Sequence, residues 1–413
     1  MRVSKGGLVS GRHTLGLNMI VGPGEGPELE RCLDGLRASE VFDEIVIGRT
    51  THDEAVKKVA DKYGASSFYH QWRTDRYPYG NFSEARNAVL DRTTTDFVWW
   101  ADADDSFMGD KEDTILRVRD VVTMENTQKN IEVWFMEYAT TIDQNMQTIC
   151  SVWRDRIFRR NGKFRWRNAV HELVGDNWEH KVKGNLYGAK MIHLPTKPNF
   201  SSAYRNVLIL ENEIANGDRT SRTRFFLARD MMMLGRIEEA VEIFEQQIST
   251  MRDQPSCLYS ACIEMAFYFA YGCPKTRTTV TDMNLNNADK IERYLRLALA
   301  FSTSGAEPYV MLGDLYITQK HYDAAHRCYA AALEKKMKNG MMQIAPYYDE
   351  TPSWRLADYY MARNDYESAL LFNRRARRHN GTDLLRQQRF AILDKLCRDE
   401  GILWVPEPQS VQN

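Results

Sequence analysis

The run Asp96-Phe97-Val98-Trp99-Trp100-Ala101-Asp102-Ala103-Asp104-Asp105 is apolar at its centre and ends in three carboxylates. Its aromatic and branched residues predict a buried strand. In an open α/β sheet, ligands sit outside the carboxyl ends of the strands, and hard carboxylate oxygens there suit Mg²⁺ or Mn²⁺ gripping a pyrophosphate. Asp102 and Asp104 flank Ala103, so two acids leave the strand with a small residue between them that lets phosphates approach the backbone. Without supporting context the same residues would make no more than a solvated acidic turn.

That context comes from the elements that must position the acids. Leu15 to Val21 reads as a buried strand, followed by a Gly22-Pro23-Gly24-Glu25-Gly26 loop. Pro27 suits the first position of a helix, and Leu29, Cys32, Leu33 and Leu36 recur at helical spacing. Glu44 to Gly48 predicts a second strand, and Thr51-His52-Asp53-Glu54 predicts a capped helix running to about Tyr63. Such a βαβα alternation implies a mostly parallel sheet with helices on both faces and a ligand crevice at the strand tips.

Four segments in this order resemble family 2 glycosyltransferases of the GT-A fold: Leu17 to Val21, Asn81 to Asn87, the Asp-x-Asp strand, and Asn168-Ala169-Val170-His171-Glu172. The resemblance covers roughly residues 14 to 195 and implies a Rossmann-like, mostly parallel α/β domain. It further implies a hexosyltransferase that draws on a nucleotide sugar, a UDP-sugar in the family at large, with Mn²⁺ or Mg²⁺ as cofactor. On this likeness Val21, Gly48, Arg86, Asn87 and Asp102 line the nucleotide, and Asp102, Asp104 and His193 hold the metal. Glu172 becomes the base that removes the acceptor proton in an inverting reaction, with His171 orienting it or the sugar.

The residues themselves agree in part. An arginine fork matches phosphate oxygens, and a helix start offers free amides. Arg86 has an alternative as an ordinary ion pair with Glu84 or Asp91, Glu172 as a partner of a neighbouring arginine, and His193 as a satisfied core residue. One departure concerns the base: where the family carries Asp-x-Gly-Ser-x-Asp, this chain has Gly48-Arg49-Thr50-Thr51-His52-Asp53 and lacks the first acid. Base recognition then moves to backbone groups and Thr50, or Arg49 marks an altered nucleotide preference.

The 413 residues, 43% of them hydrophobic, supply material for two or three cores and exclude wholesale disorder. With 55 basic and 56 acidic residues the net charge is −1, so nothing pulls the whole chain towards nucleic acid or membrane. Charge is uneven, however. Residues 153–167 hold six arginines and a lysine among Trp153, Phe158, Phe164 and Trp166, a mixture suited to an anionic acceptor or to the donor's phosphates. Seven cysteines without Cys-x-x-Cys spacing make neither a disulfide framework nor a zinc site. No apolar run is long enough to insert in a bilayer and the first residues lack a signal-peptide core, which makes the cytoplasm the expected location.

Beyond Pro198 the pattern turns helical and repeats. Tyr309, Leu312, Gly313, Tyr316, Ala325, Tyr329 and Ala332 match tetratricopeptide positions where two antiparallel helices touch. Ala357, Tyr360, Ala369 and Ala376 suggest a second unit, and Ala228, Met231, Gly235, Ala240 and Phe244 an earlier one, with insertions near Pro274 to Asn287 and Lys338 to Glu350. The expected division is a flexible start at 1–12, a GT-A domain at 13–198, an all-α repeat domain at 199–403 and a tail at 404–413. This architecture resembles bacteriocin peptide glycosyltransferases and implies a peptide or protein acceptor, with the repeats also offering a face for a homodimer. Two alternatives are a transferase acting on modified DNA bases and an inactive sugar-domain scaffold.

Overall fold

The computed structural model describes residues 12–124, 131–175, 182–195, 199–251, 253–272, 283–337, 343–377 and 384–400. In it the predicted strands become neighbours. β1 (Leu15–Val21) runs parallel to both β2 (Glu44–Arg49) and β4 (Phe97–Asp102), and β3 (Ser66–Tyr69) adds parallel to β2. The other half of the sheet is mixed. β4 meets β7 (Thr148–Arg159) antiparallel, β7 meets β6 (Val133–Ile142) antiparallel, β6 meets β10 (Lys183–His193) parallel, and β10 meets β5 (Asp105–Gly109) antiparallel. The switch has a local cause: β6 and β7 are joined by a short turn at Asp143–Gln147, and only antiparallel neighbours can be joined so tightly. A separate ribbon pairs β8 (Trp166–Arg167) with β9 (Leu173–Val174).

Period-two alternation assigns each strand residue a face. Leu15, Leu17, Met19 and Val21 of β1 and Phe97, Trp99 and Ala101 of β4 join one core with α1 (Gly26–Gly35), α2 (Ala38–Val41), α3 (Glu54–Lys62) and α5 (Thr114–Thr123). Ile20 instead faces α4 (Phe82–Leu90) through Ala85 and Val89, while Val98 and Trp100 pack with Phe158, Phe164 and Trp166. Gly48 is a packing residue: a Cβ there would stand 2.7 Å from the Val89 side chain, so its absence lets α4 lie close to the sheet. Asp53 caps α3 through Ala55 N–H and also accepts from Gly24 N–H at 3.0 Å, tying together the loops that follow β1 and β2.

The chain separates into two units, Met1–Asp253 and Gln254–Asn413, apart from a few residues near 340. Helices α6 (Asn199–Ala215), α7 (Ser221–Met233) and α8 (Ile237–Thr250) therefore group with the sheet. The expected boundary at residue 198, residues 1–11 of the flexible start at 1–12 and the tail from 404 lie outside the described residues, as do 274–282 of one proposed insertion and 338–342 of the other. In the second unit α9 (Pro255–Tyr271) packs with α10 (Ala288–Phe301), α11 (Glu307–Thr318) with α12 (Tyr322–Leu333), and α13 (Glu350–Met361) with α14 (Tyr366–Arg377), followed by α15 (Leu384–Asp399). The repeat logic is visible at Gly313, where a Cβ would lie 2.5 Å from the Tyr329 ring. Ala325, Ala332, Ala357, Ala369 and Ala376 are fully buried at the corresponding contacts. Among the described residues no helix is long and apolar enough to cross a membrane.

Candidate active site

At the C-terminal rim of the sheet, the three acids divide into two groups. Asp105 folds back to accept from Asp102 N–H at 3.0 Å, which closes the turn between β4 and β5. Its same oxygen pairs with Arg156 at 2.9 Å, both side chains being fully buried, and the Arg156 guanidinium lies over Trp100 at 4.0 Å and Tyr138 at 4.2 Å. Such a pair must be kept whole, because removing one member strands a charge in a dry interior.

Antiparallel register sets His193 of β10 opposite Asp105 of β5, and Leu194 N–H donates to the Asp104 carbonyl at 2.9 Å. One ligand atom from each of Asp104, Asp105 and His193 thereby falls within 4.8 Å of the others. His193 Nδ1 is 3.5 Å from Asp104 Oδ1, and neither this nitrogen nor Asp105 Oδ1 has a hydrogen-bond partner although both are buried. Buried polar atoms without a hydrogen bond are costly unless something satisfies them, and two carboxylate oxygens with an imidazole nitrogen are a competent set for Mn²⁺ or Mg²⁺. Burial alone would hold the His193 imidazole below its ordinary value, but Asp104, Asp105 and Asp102 together push it above.

Asp102 is absent from that group. Its carboxylate turns to Arg86, which donates from Nη2 at 2.6 Å. Burial pushes the Asp102 carboxyl up, yet the Arg86 and Arg156 guanidiniums prevail and hold it at about 2. Of the expected metal set Asp102, Asp104 and His193, the structure brings Asp104 and His193 together and seats Asp105 where Asp102 was expected.

Arg86 is the hub of the second group. Asn81 caps α4 by accepting Glu84 N–H at 3.1 Å, and one turn later Arg86 enters a slot between Trp100 and Trp166, 4.8 Å from each ring. Its Nε donates to Glu172 Oε1 at 2.7 Å while Nη2 serves Asp102, so one guanidinium spans both carboxylates. Glu84 and Asp91 are not its partners; Asp91 pairs with Arg165. Asn87 is committed to backbone, donating to Trp166 O at 3.0 Å and accepting from Trp166 N–H at 2.9 Å, which clips β8 to α4. Val21, at the tip of β1, accepts from Thr50 N–H at 2.9 Å and from the Thr50 hydroxyl at 3.2 Å. Gly48 lies beneath Val89, so its visible role is packing.

Glu172 and His171 face different neighbours. The turn that carries them is fastened to the start of α4, where Phe82 N–H donates to Ala169 O at 2.8 Å and the Ser83 hydroxyl donates to Asn168 O. Asn168 and His171 both have positive φ, 67° and 54°, and this alternation sends consecutive side chains apart. Glu172 points to Arg86, whereas His171 reaches α7, with Nε2 3.1 Å from Asp230 and its ring stacked on Phe226 at 3.9 Å.

Sequence reasoning missed Asp105 as a candidate ligand and Asp230 as a partner of His171. Asp105 sits in the quoted acidic run, and the signal for it was the strand after the turn, which reverses its side chain towards β10. For Asp230, 59 residues from His171 on a helix, no local signal exists.

A model of glycosyl transferase family 2 matches residues 24–179, and a tetratricopeptide repeat model matches residues 306–334. The chain thus contains, within its first part, a segment that matches the family 2 glycosyltransferase domain and, within its second, one that matches a tetratricopeptide repeat. The SPbeta prophage-derived glycosyltransferase SunS of Bacillus subtilis (strain 168) is 23% identical over 232 residues, 54% of this chain and 51% of that protein. Glycosyltransferase SunS of Bacillus phage SPbeta matches to the same extent. The chain thus spans about half the length of the curated relatives it matches. Among solved structures, TarS 1-349 of S. aureus covers 78% of this chain and 91% of its own at 11% identity and a TM-score of 0.29. A thermophilic TPR protein of Thermus thermophilus covers 48% and 93% at 14% identity and a TM-score of 0.30.

Proposed function

We propose that this chain transfers a sugar from a nucleotide sugar, a UDP-sugar by family expectation, to a peptide or protein acceptor with inversion at the anomeric carbon. The observation that carries the reading is the meeting of Asp104, Asp105 and His193 at the sheet rim, where two buried candidate ligand atoms make no hydrogen bond. These three residues would hold Mn²⁺ or Mg²⁺, with Asp102 beside them on the nucleotide side. When bound, the ion supplies Lewis-acid stabilisation of the charge that develops on the departing diphosphate.

The chain's own groups do the rest. Arg86 bridges Asp102 and Glu172 and fixes their separation. Glu172 Oε1 is held by Arg86, and Oε2 is the atom left to accept the acceptor's proton as the nucleophile attacks. Val21, Gly48 and Asn87 shape the nucleotide side from behind, as strand tip, packing floor and backbone clip.

The peptide reading is preferred to a DNA acceptor because the arginine-rich run is engaged internally. Arg156 pairs with Asp105, Arg165 with Asp91, Arg160 with the Thr94 and Thr95 carbonyls, and Arg159 lies over Phe97. The tetratricopeptide repeats supply a surface class known for extended peptides and for self-association. A cytoplasmic setting, where nucleotide sugars are made, and a homodimer through the repeats belong to the same reading.

The test is release of nucleoside diphosphate from a panel of UDP-, GDP- and dTDP-sugars, with Mn²⁺ and with chelator. Turnover of one donor that chelator abolishes is expected. Turnover insensitive to chelator removes the metal assignment, and no turnover of any donor removes the enzyme in favour of a scaffold.

A further inference from the structure

The turn carrying Glu172 is gripped on one side by α4 and on the other by α7, and the second grip has the stronger physical motive. His171 occupies the left-handed region, φ 54°, which a residue with a Cβ adopts only where its surroundings compel it. Three contacts from α7 do so. The imidazole stacks on Phe226 with rings 16° from parallel, Nε2 meets Asp230 Oδ2 at 3.1 Å, and Arg222 donates to the His171 carbonyl at 2.8 Å.

Asp230 is itself tightly held. It is 1% exposed, accepts from Asn206 Nδ2 of α6 at 3.1 Å on Oδ2, and pairs with Arg229 at 2.9 Å on Oδ1. Burial would push its carboxyl up, but Arg229 and His171 keep it well below the usual carboxylate range. Burial in turn keeps the His171 imidazole below its ordinary value despite the pull of Asp230. A neutral imidazole bonded through Nε2–H to a permanent carboxylate is fixed in tautomer and ring orientation.

We propose that Asp230, aided by Arg222, is a positioning residue of the transfer reaction: it locks His171 in its left-handed conformation and so sets the direction in which Glu172 offers its carboxylate to the acceptor. Both residues lie beyond the segment matched by the glycosyl transferase model, so helix α7 adds to the grip of α4 a second anchor that the matched segment does not supply. The inference rests on Glu172 as the base.

The experiment measures donor turnover on the same panel, in Mn²⁺, for the full chain and for Glu172→Gln, Asp230→Ala, Asp230→Asn, His171→Gly and the double variant His171→Gly/Asp230→Ala. Asp230→Ala is expected to lower kcat by about ten- to a hundredfold with donor KM within about twofold, because misplacement of about 1 Å costs that much. Asp230→Asn, which can still accept from His171, retains most of the rate. Glycine takes a left-handed φ without an anchor, so Asp230→Ala costs little further once His171 is glycine. Should Asp230→Ala not fold, Arg222→Ala carries the test with an expected loss of about tenfold in kcat at unchanged KM. An unchanged kcat in the folded variant, or strictly additive losses in the cycle, overturns the positioning role while Glu172→Gln is inactive. Full activity in Glu172→Gln instead overturns the base assignment, independently of what Asp230→Ala does.

Discussion

Glu307 and Asp314 of the repeat unit and Asp105 at the sheet rim are all buried carboxylates, but they are held in opposite ways. In the repeat unit Glu307, 1% exposed, accepts from Tyr259 at 2.8 Å, Tyr348 at 3.1 Å and Ile344 N–H at 2.9 Å, and Asp314 accepts from Tyr329 at 2.7 Å with Arg355 at 3.3 Å. At the sheet rim one oxygen of Asp105 has no hydrogen bond, and His193 Nδ1 has none either, its nearest carboxylate being Asp104 at 3.5 Å. A satisfied carboxylate holds helices together; an unsatisfied one beside an imidazole is a place prepared for something else. The difference separates residues that serve the fold from residues that serve chemistry, although both are buried and polar.

Four measurements would break or sharpen that contrast. The largest effect belongs to Glu172→Gln, expected to lower kcat by about 10²–10⁴ with little change in thermal midpoint, since the neutral amide keeps the shape and loses the base. A variant with native turnover would move Glu172 to the fold-serving class. Next, Arg156→Leu should destabilise the first unit by about 3–5 kcal/mol by leaving Asp105 charged and alone, read by denaturant unfolding. Unaltered stability would mean that the buried pair is dispensable and that Asp105 is free to serve a cation alone.

Glu307→Ala strands two tyrosine hydroxyls and an amide, so a loss of about 1–3 kcal/mol or more is expected in unfolding followed through the helical unit, with donor turnover unchanged. A fall in turnover at full stability would contradict the contrast from the other side. The smallest effect is one of pH. Asp102, held at about 2 in the fold against a usual value near 3.8, adds stability that is complete above about pH 4 and is lost as pH falls towards 2. Asp102→Asn should flatten that part of the stability curve; an unaltered acid limb would show that Arg86 does not hold the charge.

Legibility from sequence followed the range of the interaction. Periodicity placed β1, β2, α1 and β4, and the buried Leu29, Cys32, Leu33 and Leu36 lie where helical spacing put them. Repeat residues such as Gly313 and Tyr329 declared their contact because small and aromatic residues alternate at fixed offsets. The antiparallel half of the sheet was not legible, since β10 pairs with β5 across more than eighty residues of chain. Arg86 was singled out as a phosphate ligand, yet its partners Asp102 and Glu172 come from segments that no local pattern links.

The amino-acid order alone determined which strand ends in acids, which helices are amphipathic and where the repeats lie, because those properties depend on neighbours within a turn or two. Tertiary structure decided which acid meets His193, which carboxylates Arg86 joins and which helix holds His171. Such choices depend on strand register and helix docking, where a shift of one residue turns a side chain to the opposite face.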